Sequence, residues 1–266
     1  MKTLNVLFLG NSHTFFNDLA QVFKDIAESR QDTKVNVDMN AYPGVTFGWH
    51  LGQAAQLRYD LMYKGFDYVV LQQAAHEPWP PKEETIADGK KLIELVRLAG
   101  AKPIVCQPWA EKRYPEHQEL MYDIYADLAK EANVPLTADG FVFEDVFKNH
   151  KDIDLYFLDG EHCSPYGTYV RALSAYALIF GESPVGVPAV SRVSYTMSED
   201  AVHAAALLEK ADKKRDSEEA KELMGRIWRG FLYNRDKDSV KVHLDEKKAK
   251  ILQELVWRYT EKDIDL

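Results

Sequence analysis

Short, densely apolar runs alternate along this chain with longer stretches whose apolar residues recur every three or four positions. The first run, Val6-Leu7-Phe8-Leu9, is apolar throughout, as a strand buried on both faces would be, and it stops at Gly10-Asn11-Ser12. Leu19, Val22, Phe23, Ile26 and Ala27 then show helical spacing, which predicts a helix over residues 18–30 with Asn17 as its N-cap. The alternation continues with strands expected at 35–39, 66–72, 102–107 and 134–136. Helices are expected at 49–63, 83–99, 116–132 and 164–180, the last stopped by Gly181. Strand followed by helix, repeated about five times, argues an α/β fold: three αβα layers around a mostly parallel, five-stranded sheet.

Beyond Pro188 the pattern changes. Residues 198–257 are helical in period and heavily charged, with apolar stripes from Leu207, Leu208, Met224, Ile227, Trp228, Leu252, Leu255 and Val256. The division expected is one α/β domain at 1–188 and a helical extension at 189–266, two or three helices packed on that domain or on a partner.

Composition narrows the classes of partner. The chain has 266 residues, 33 basic against 42 acidic, and the resulting charge of −9 argues against nucleic acid or an anionic membrane. No apolar run reaches the ~18 residues of a membrane span. With one lysine and no separate apolar segment ahead of the first strand, no secretory signal is evident. A cytoplasmic protein is expected, or an exported one whose leader precedes residue 1. The two cysteines, Cys106 and Cys163, are expected to be free thiols, since two residues make neither a disulfide framework nor a zinc pattern.

The candidate chemistry gathers where the strands end. In a parallel sheet these ends share one edge, the usual place for a ligand. Ser12, the turn around Gly44, the stretch from Gln73 to His76, and Trp109 all fall there, although they are scattered in sequence. Ser12 alone reads first as a turn or cap residue, and as a nucleophile only once partners are found for it. A nucleophilic serine needs a base and a carboxylate to orient that base. Asp159-Gly160-Glu161-His162 offers both, three residues apart, in a loop that leads into a helix. His13 and His76 are candidate substrate contacts, and Trp79 and Trp109 offer aromatic faces that suit a sugar ring or an acyl chain, or else lids over the core. Glu161 is expected to point to solvent and Cys163 to pack. No His-x-x-x-His or acid-rich ligand pattern accompanies the histidines, so no metal and no cofactor is expected.

Taken together, these stretches resemble the SGNH (GDSL-like) hydrolases over residues 4–186. Gly10-Asn11-Ser12 is similar to that family's first block, with Asn11 where Asp is commoner. Gly44 is similar to the second block, and Asp159 to His162 resembles the last. The resemblance implies a flavodoxin-like SGNH hydrolase fold in which Ser12 is the nucleophile, His162 the base and Asp159 its orienting partner. It also implies an oxyanion hole formed by the amides of Ser12 and Gly44. The third block, Gly-x-Asn-Asp, is missing; Gln73 takes its place by position, with Gln72 and His76 as the other candidates. The implied activity is hydrolysis of a small acyl ester, acetyl in type, on a carbohydrate or similar small molecule. A binding protein on the same fold and a metal-dependent phosphoesterase are the alternatives.

Overall fold

A computed structural model describes residues 2–30, 32–76, 80–210 and 217–260. Four parallel strands lie at its centre: β1 (Lys2–Gly10), β2 (Thr33–Ala41), β3 (Tyr68–Leu71) and β4 (Lys102–Val105), in the order β2-β1-β3-β4. The fifth strand expected at 134–136 is a single parallel bridge between Leu136 and Val105. Hydrogen bonds from Val105 N to Pro135 O (3.1 Å) and from Thr137 N to Val105 O (2.9 Å) support it. Pro135, which has no N–H to give, helps limit the pairing to this one rung.

The helices cover both faces. α1 (Ser12–Phe15) and α2 (Leu19–Arg30) follow β1, and α3 (Phe47–Gly52) and α4 (Ala54–Tyr63) follow β2. After β3 comes α5 (Lys82–Leu98), and after β4 come α6 (His117–Ala132), α7 (Asp139–Asn149) and α8 (Pro165–Phe180). Strand side chains alternate between two cores. Val6, Phe8, Val70 and Ile104 pack with α2, α7 and α8, whereas Leu7, Leu9, Val69, Leu71 and Val105 pack with α3 to α6. Burial on both faces is why the strands read as continuous apolar runs. Ser164 caps α8 by accepting from Gly167 N, and Gly181 ends it at a left-handed φ of 64°.

Several boundaries differ from expectation. The helix predicted over 49–63 is broken at Gln53, whose ψ of 42° is not helical. α7 had no counterpart in the sequence reading, although Val142, Phe143 and Val146 form its buried stripe.

The extension is not purely helical. It contributes β5 (Val190–Val193) and β6 (Tyr195–Met197), then α9 (Glu199–Lys210) and α10 (Glu218–Arg229). β7 (Phe231–Tyr233), β8 (Val240–His243) and α11 (Glu246–Thr260) complete it. β5 pairs with β8 and β6 with β7 as antiparallel ribbons. α11 lies on α8 and adds Leu252, Leu255 and Val256 to the main core. At about 1.5–3 kcal/mol for each fully buried Leu or Val side chain, α11 is firmly anchored. α9 and α10 build a smaller core that closes over Phe16 and Phe157. Among the described residues no helix is long and apolar enough to cross a membrane.

Candidate active site

The chain crosses from β2 past β1 to β3, so the sheet changes winding direction at the carboxyl ends of β1 and β3. That is where an open α/β sheet leaves a crevice. β1 ends there at a glycine whose lack of a side chain admits its neighbours: a Cβ on Gly10 would lie 2.5 Å from Gln72 Oε1 and closer still to Thr14 Oγ1. Asn11 organises the turn. Its Oδ1 accepts from His13 N (3.0 Å), and its Nδ2 donates to Val45 O (3.2 Å) in the Gly44 loop. A carboxylate could cap the turn but could not donate to Val45, which gives a physical reason for asparagine at this position. Gln72 Oε1 accepts from Asn11 N (3.0 Å) and Thr14 Oγ1 (2.8 Å), so this glutamine is committed to holding the turn. His50 Nε2–H donates to Gly10 O at 2.9 Å from the other side.

The loop before α8 delivers the partners of Ser12. His162 Nε2 lies 2.8 Å from Ser12 Oγ, and His162 Nδ1 lies 2.6 Å from Asp159 Oδ2. Asp159 Oδ1 accepts from Glu161 N (2.9 Å) and His162 N (3.0 Å), while Gly160 makes the tight bend at φ 75°. The carboxylate can only accept from Nδ1–H, which leaves the Nε2 lone pair facing the serine hydroxyl. A hydroxyl, a base and an orienting carboxylate in series can generate an alkoxide-like nucleophile at neutral pH.

Two buried ties hold the loops together, and neither was anticipated. Asn17, expected as an N-cap, sits instead at a left-handed φ of 54°. Its Nδ2 donates to Cys163 O (3.0 Å) and Thr168 Oγ1 (2.9 Å), joining the serine segment to the histidine loop. Asn17→Ala is expected to cost about 1–3 kcal/mol in urea denaturation, because two buried acceptors lose their donor. A change within ±0.5 kcal/mol would contradict this role. The second tie is Arg171 on α8, 2% exposed, which donates to His13 O and pairs with Asp139 at 3.3 Å.

The remaining sequence-predicted residues fall as follows. Gly44 stays exposed at a φ of 67°, in the loop that Asn11 anchors. Gln73 is buried, and its Oε1 accepts from Phe47 N (2.7 Å) and Ala74 N (3.0 Å). With the oxygen occupied, the amide's NH2 is the end left to donate. Trp79 lies outside the described residues. Trp109 is only 3% exposed: it stacks on Phe143 at 4.5 Å and supports His13 at 5.0 Å, so it packs beneath the site. His13 and His76 stack on one another at 5.7 Å along the wall beside Ser12.

Glu161 corrects the sequence reading, because it does not point to solvent. Only 7% exposed, it turns inward, with Oε1 3.3 Å from His76 Nδ1 and 3.6 Å from His13 Nε2. Burial works against its charge, yet the neighbouring imidazoles outweigh burial and hold the carboxyl well below the usual carboxylate range. Burial, only partly opposed by Glu161, pulls the His13 imidazole down to about 4.

An aromatic wall closes the other side. Phe16 stacks on the His162 ring at 4.6 Å, and Trp228 of α10 lies nearly perpendicular to that ring at 5.5 Å. Phe231 stacks on Phe16 at 5.4 Å, so the extension packs directly against the aromatic residues beside His162. Trp228 was visible in the sequence as part of an apolar stripe, but nothing local linked that stripe to His162.

No protein-family model and no curated protein sequence matches the chain. Solved structures do. A proposed SGNH hydrolase from Slackia heliotrinireducens is similar at 22% identity and a TM-score of 0.55, over 65% of this chain and 97% of that one. Axe2, an acetylxylan esterase from Geobacillus stearothermophilus, is similar at 16% identity and a TM-score of 0.53, over 68% and 96%. LAE5, an α/β hydrolase enzyme from the metagenome of Lake Arreo, is similar at 13% identity and a TM-score of 0.55, over 66% and 95%. The chain thus has the fold of the SGNH hydrolases, with its serine turn and histidine loop meeting at the sheet edge.

Proposed function

We propose that this protein is a serine esterase that removes a small acyl group, acetyl in type, from a carbohydrate or similar polar alcohol. The observation that carries the reading is the unbroken series from Ser12 Oγ to His162 (2.8 Å) to Asp159 (2.6 Å). His162 takes the Ser12 proton as Oγ attacks the ester carbonyl, then returns it to the departing alcohol. Water then attacks the acyl carbonyl as His162 takes its proton, and His162 returns that proton to Ser12 Oγ as the acyl–Oγ bond breaks and the acid leaves.

The developing oxyanion is met by the N–H groups of Ser12 and Gly44 and by the Gln73 amide. Gln73 is favoured over Gln72 because Gln72 is occupied by the turn, whereas Gln73 has its oxygen tied back and its NH2 to offer. The likeness in fold to an acetylxylan esterase supports the acetyl-carbohydrate substrate class. Partly exposed Trp228 supports it too, as an aromatic face next to the base.

The reading is tested with a fluorophosphonate probe followed by peptide mass mapping. One adduct per chain on Ser12 is expected, together with hydrolysis of p-nitrophenyl acetate and weak activity on long-chain esters. Absence of both labelling and turnover in folded protein would instead favour a binding protein on this fold.

A further inference from the structure

The series from Ser12 to Asp159 leaves a second group of polar side chains on the same wall unused. His13, His76 and Glu161 come from three separate loops, after β1, after β3 and before α8. Their ligand-type atoms all lie within 4.8 Å of one another. Glu161 Oε1 is 3.3 Å from His76 Nδ1 and 3.6 Å from His13 Nε2. Ligands bound at 2.0–2.1 Å around a tetrahedral zinc ion stand roughly 3.4 Å apart, so both spacings leave room for a cation bridging these atoms.

An independent observation comes from His13. Its Nε2 is buried and has no hydrogen-bond partner among the described residues, and 3.6 Å to Glu161 exceeds hydrogen-bonding range. A buried nitrogen left in that state calls for an explanation, and a role as a cation ligand is one. The ring is also held in place: His13 N donates to Asn11, and His13 O accepts from Arg171. Glu161 is fixed equally well, since its N–H donates to Asp159 and its carbonyl accepts from Trp109 Nε1 at 2.9 Å. Asp159, Glu161 and His162 are also close together, but Asp159 and His162 are spent on each other.

We propose that His13, His76 and Glu161 form a site for one divalent cation of the Zn2+ type. Two imidazoles and one carboxylate favour zinc over magnesium or calcium, which take oxygen ligands. The His76 side chain, 23% exposed, gives the ion its path from solvent. The proposal is independent of the hydrolytic reading, since none of the three side chains belongs to the Ser12 series.

The test uses the full chain, stripped with a chelator and titrated with Zn2+ against a chromophoric competitor, with thermal denaturation in parallel. Expected are one equivalent per chain and a rise in Tm of about 5 °C near saturation, with no response to Mg2+. Binding should be lost in His76→Ala and in Glu161→Gln and kept in Ser12→Ala. His76→Ala alters a partly exposed loop residue, so its Tm without metal should match the parent and separate lost binding from lost folding. Absence of saturable binding, or unchanged binding in His76→Ala, would overturn the site and leave Glu161 as an ion-pair partner of the two histidines.

Discussion

Ser12→Ala is expected to lower turnover of p-nitrophenyl acetate by on the order of 10^6-fold, the scale seen when a nucleophile of this kind is removed. The loss should appear in kcat, with KM little changed, because Ser12 Oγ forms the bond that defines the reaction and contributes little to binding the intact ester. His162→Ala should cost a similar factor, and the double variant should be no worse than either single one. His162 Nε2, 2.8 Å from Ser12 Oγ, has no role once the hydroxyl is gone. Steady-state kinetics on folded variants, checked by circular dichroism, decide the matter. Ser12→Ala within tenfold of the parent would place the nucleophile elsewhere.

The largest effect on stability is expected at Arg171, which touches no substrate in this reading. Its guanidinium is buried under the site, paired with Asp139 at 3.3 Å, 3.5 Å from Cys106 Sγ and 5.3 Å from the Trp109 ring. It also donates to His13 O. Burial pushes the Asp139 carboxyl above its usual range even with Arg171 beside it. Removing the arginine strands that carboxyl in the core. Arg171→Leu is therefore expected to cost about 3–5 kcal/mol in urea or thermal denaturation. Arg171→Leu combined with Asp139→Leu should recover much of this, because no charge is then left uncompensated. A single-variant cost below about 1 kcal/mol would show that the pair is not the brace that the packing implies.

Much of this molecule was legible in one dimension because its causes are local. Apolar runs buried on both faces announced the central strands, three-and-four spacing announced α2, α5, α6 and α8, and Gly181 marked where α8 stops. The strands of the extension were not legible. At three or four residues each they are too short to carry a period, and their partners lie 34 to 53 positions away. α7 is eleven residues long, and its buried apolar stripe is only Val142, Phe143 and Val146, too few to set a helical period apart from the loops around it. Asn17 was misread because a short polar residue ahead of a helix looks like a cap whether its side chain turns to that helix or, as here, to Cys163 and Thr168.

The sequence by itself determined the α/β order, the glycine turn that presents Ser12, and the Asp159–His162 pair, since each depends on neighbours a few residues apart. Only the tertiary structure decided what those groups meet. Gln72 and Gln73 are adjacent and chemically identical, yet one is tied to the Asn11 turn and the other to the Phe47 amide. Their roles follow from which loops lie on either side of β3. Glu161 was expected in solvent and lies instead between His13 and His76, because the sheet edge brings three separate loops to one point. Metal-like ligand spacing across such loops leaves no trace in sequence: no two of these residues need keep a fixed separation along the chain for their ligand atoms to stand within 4.8 Å in space.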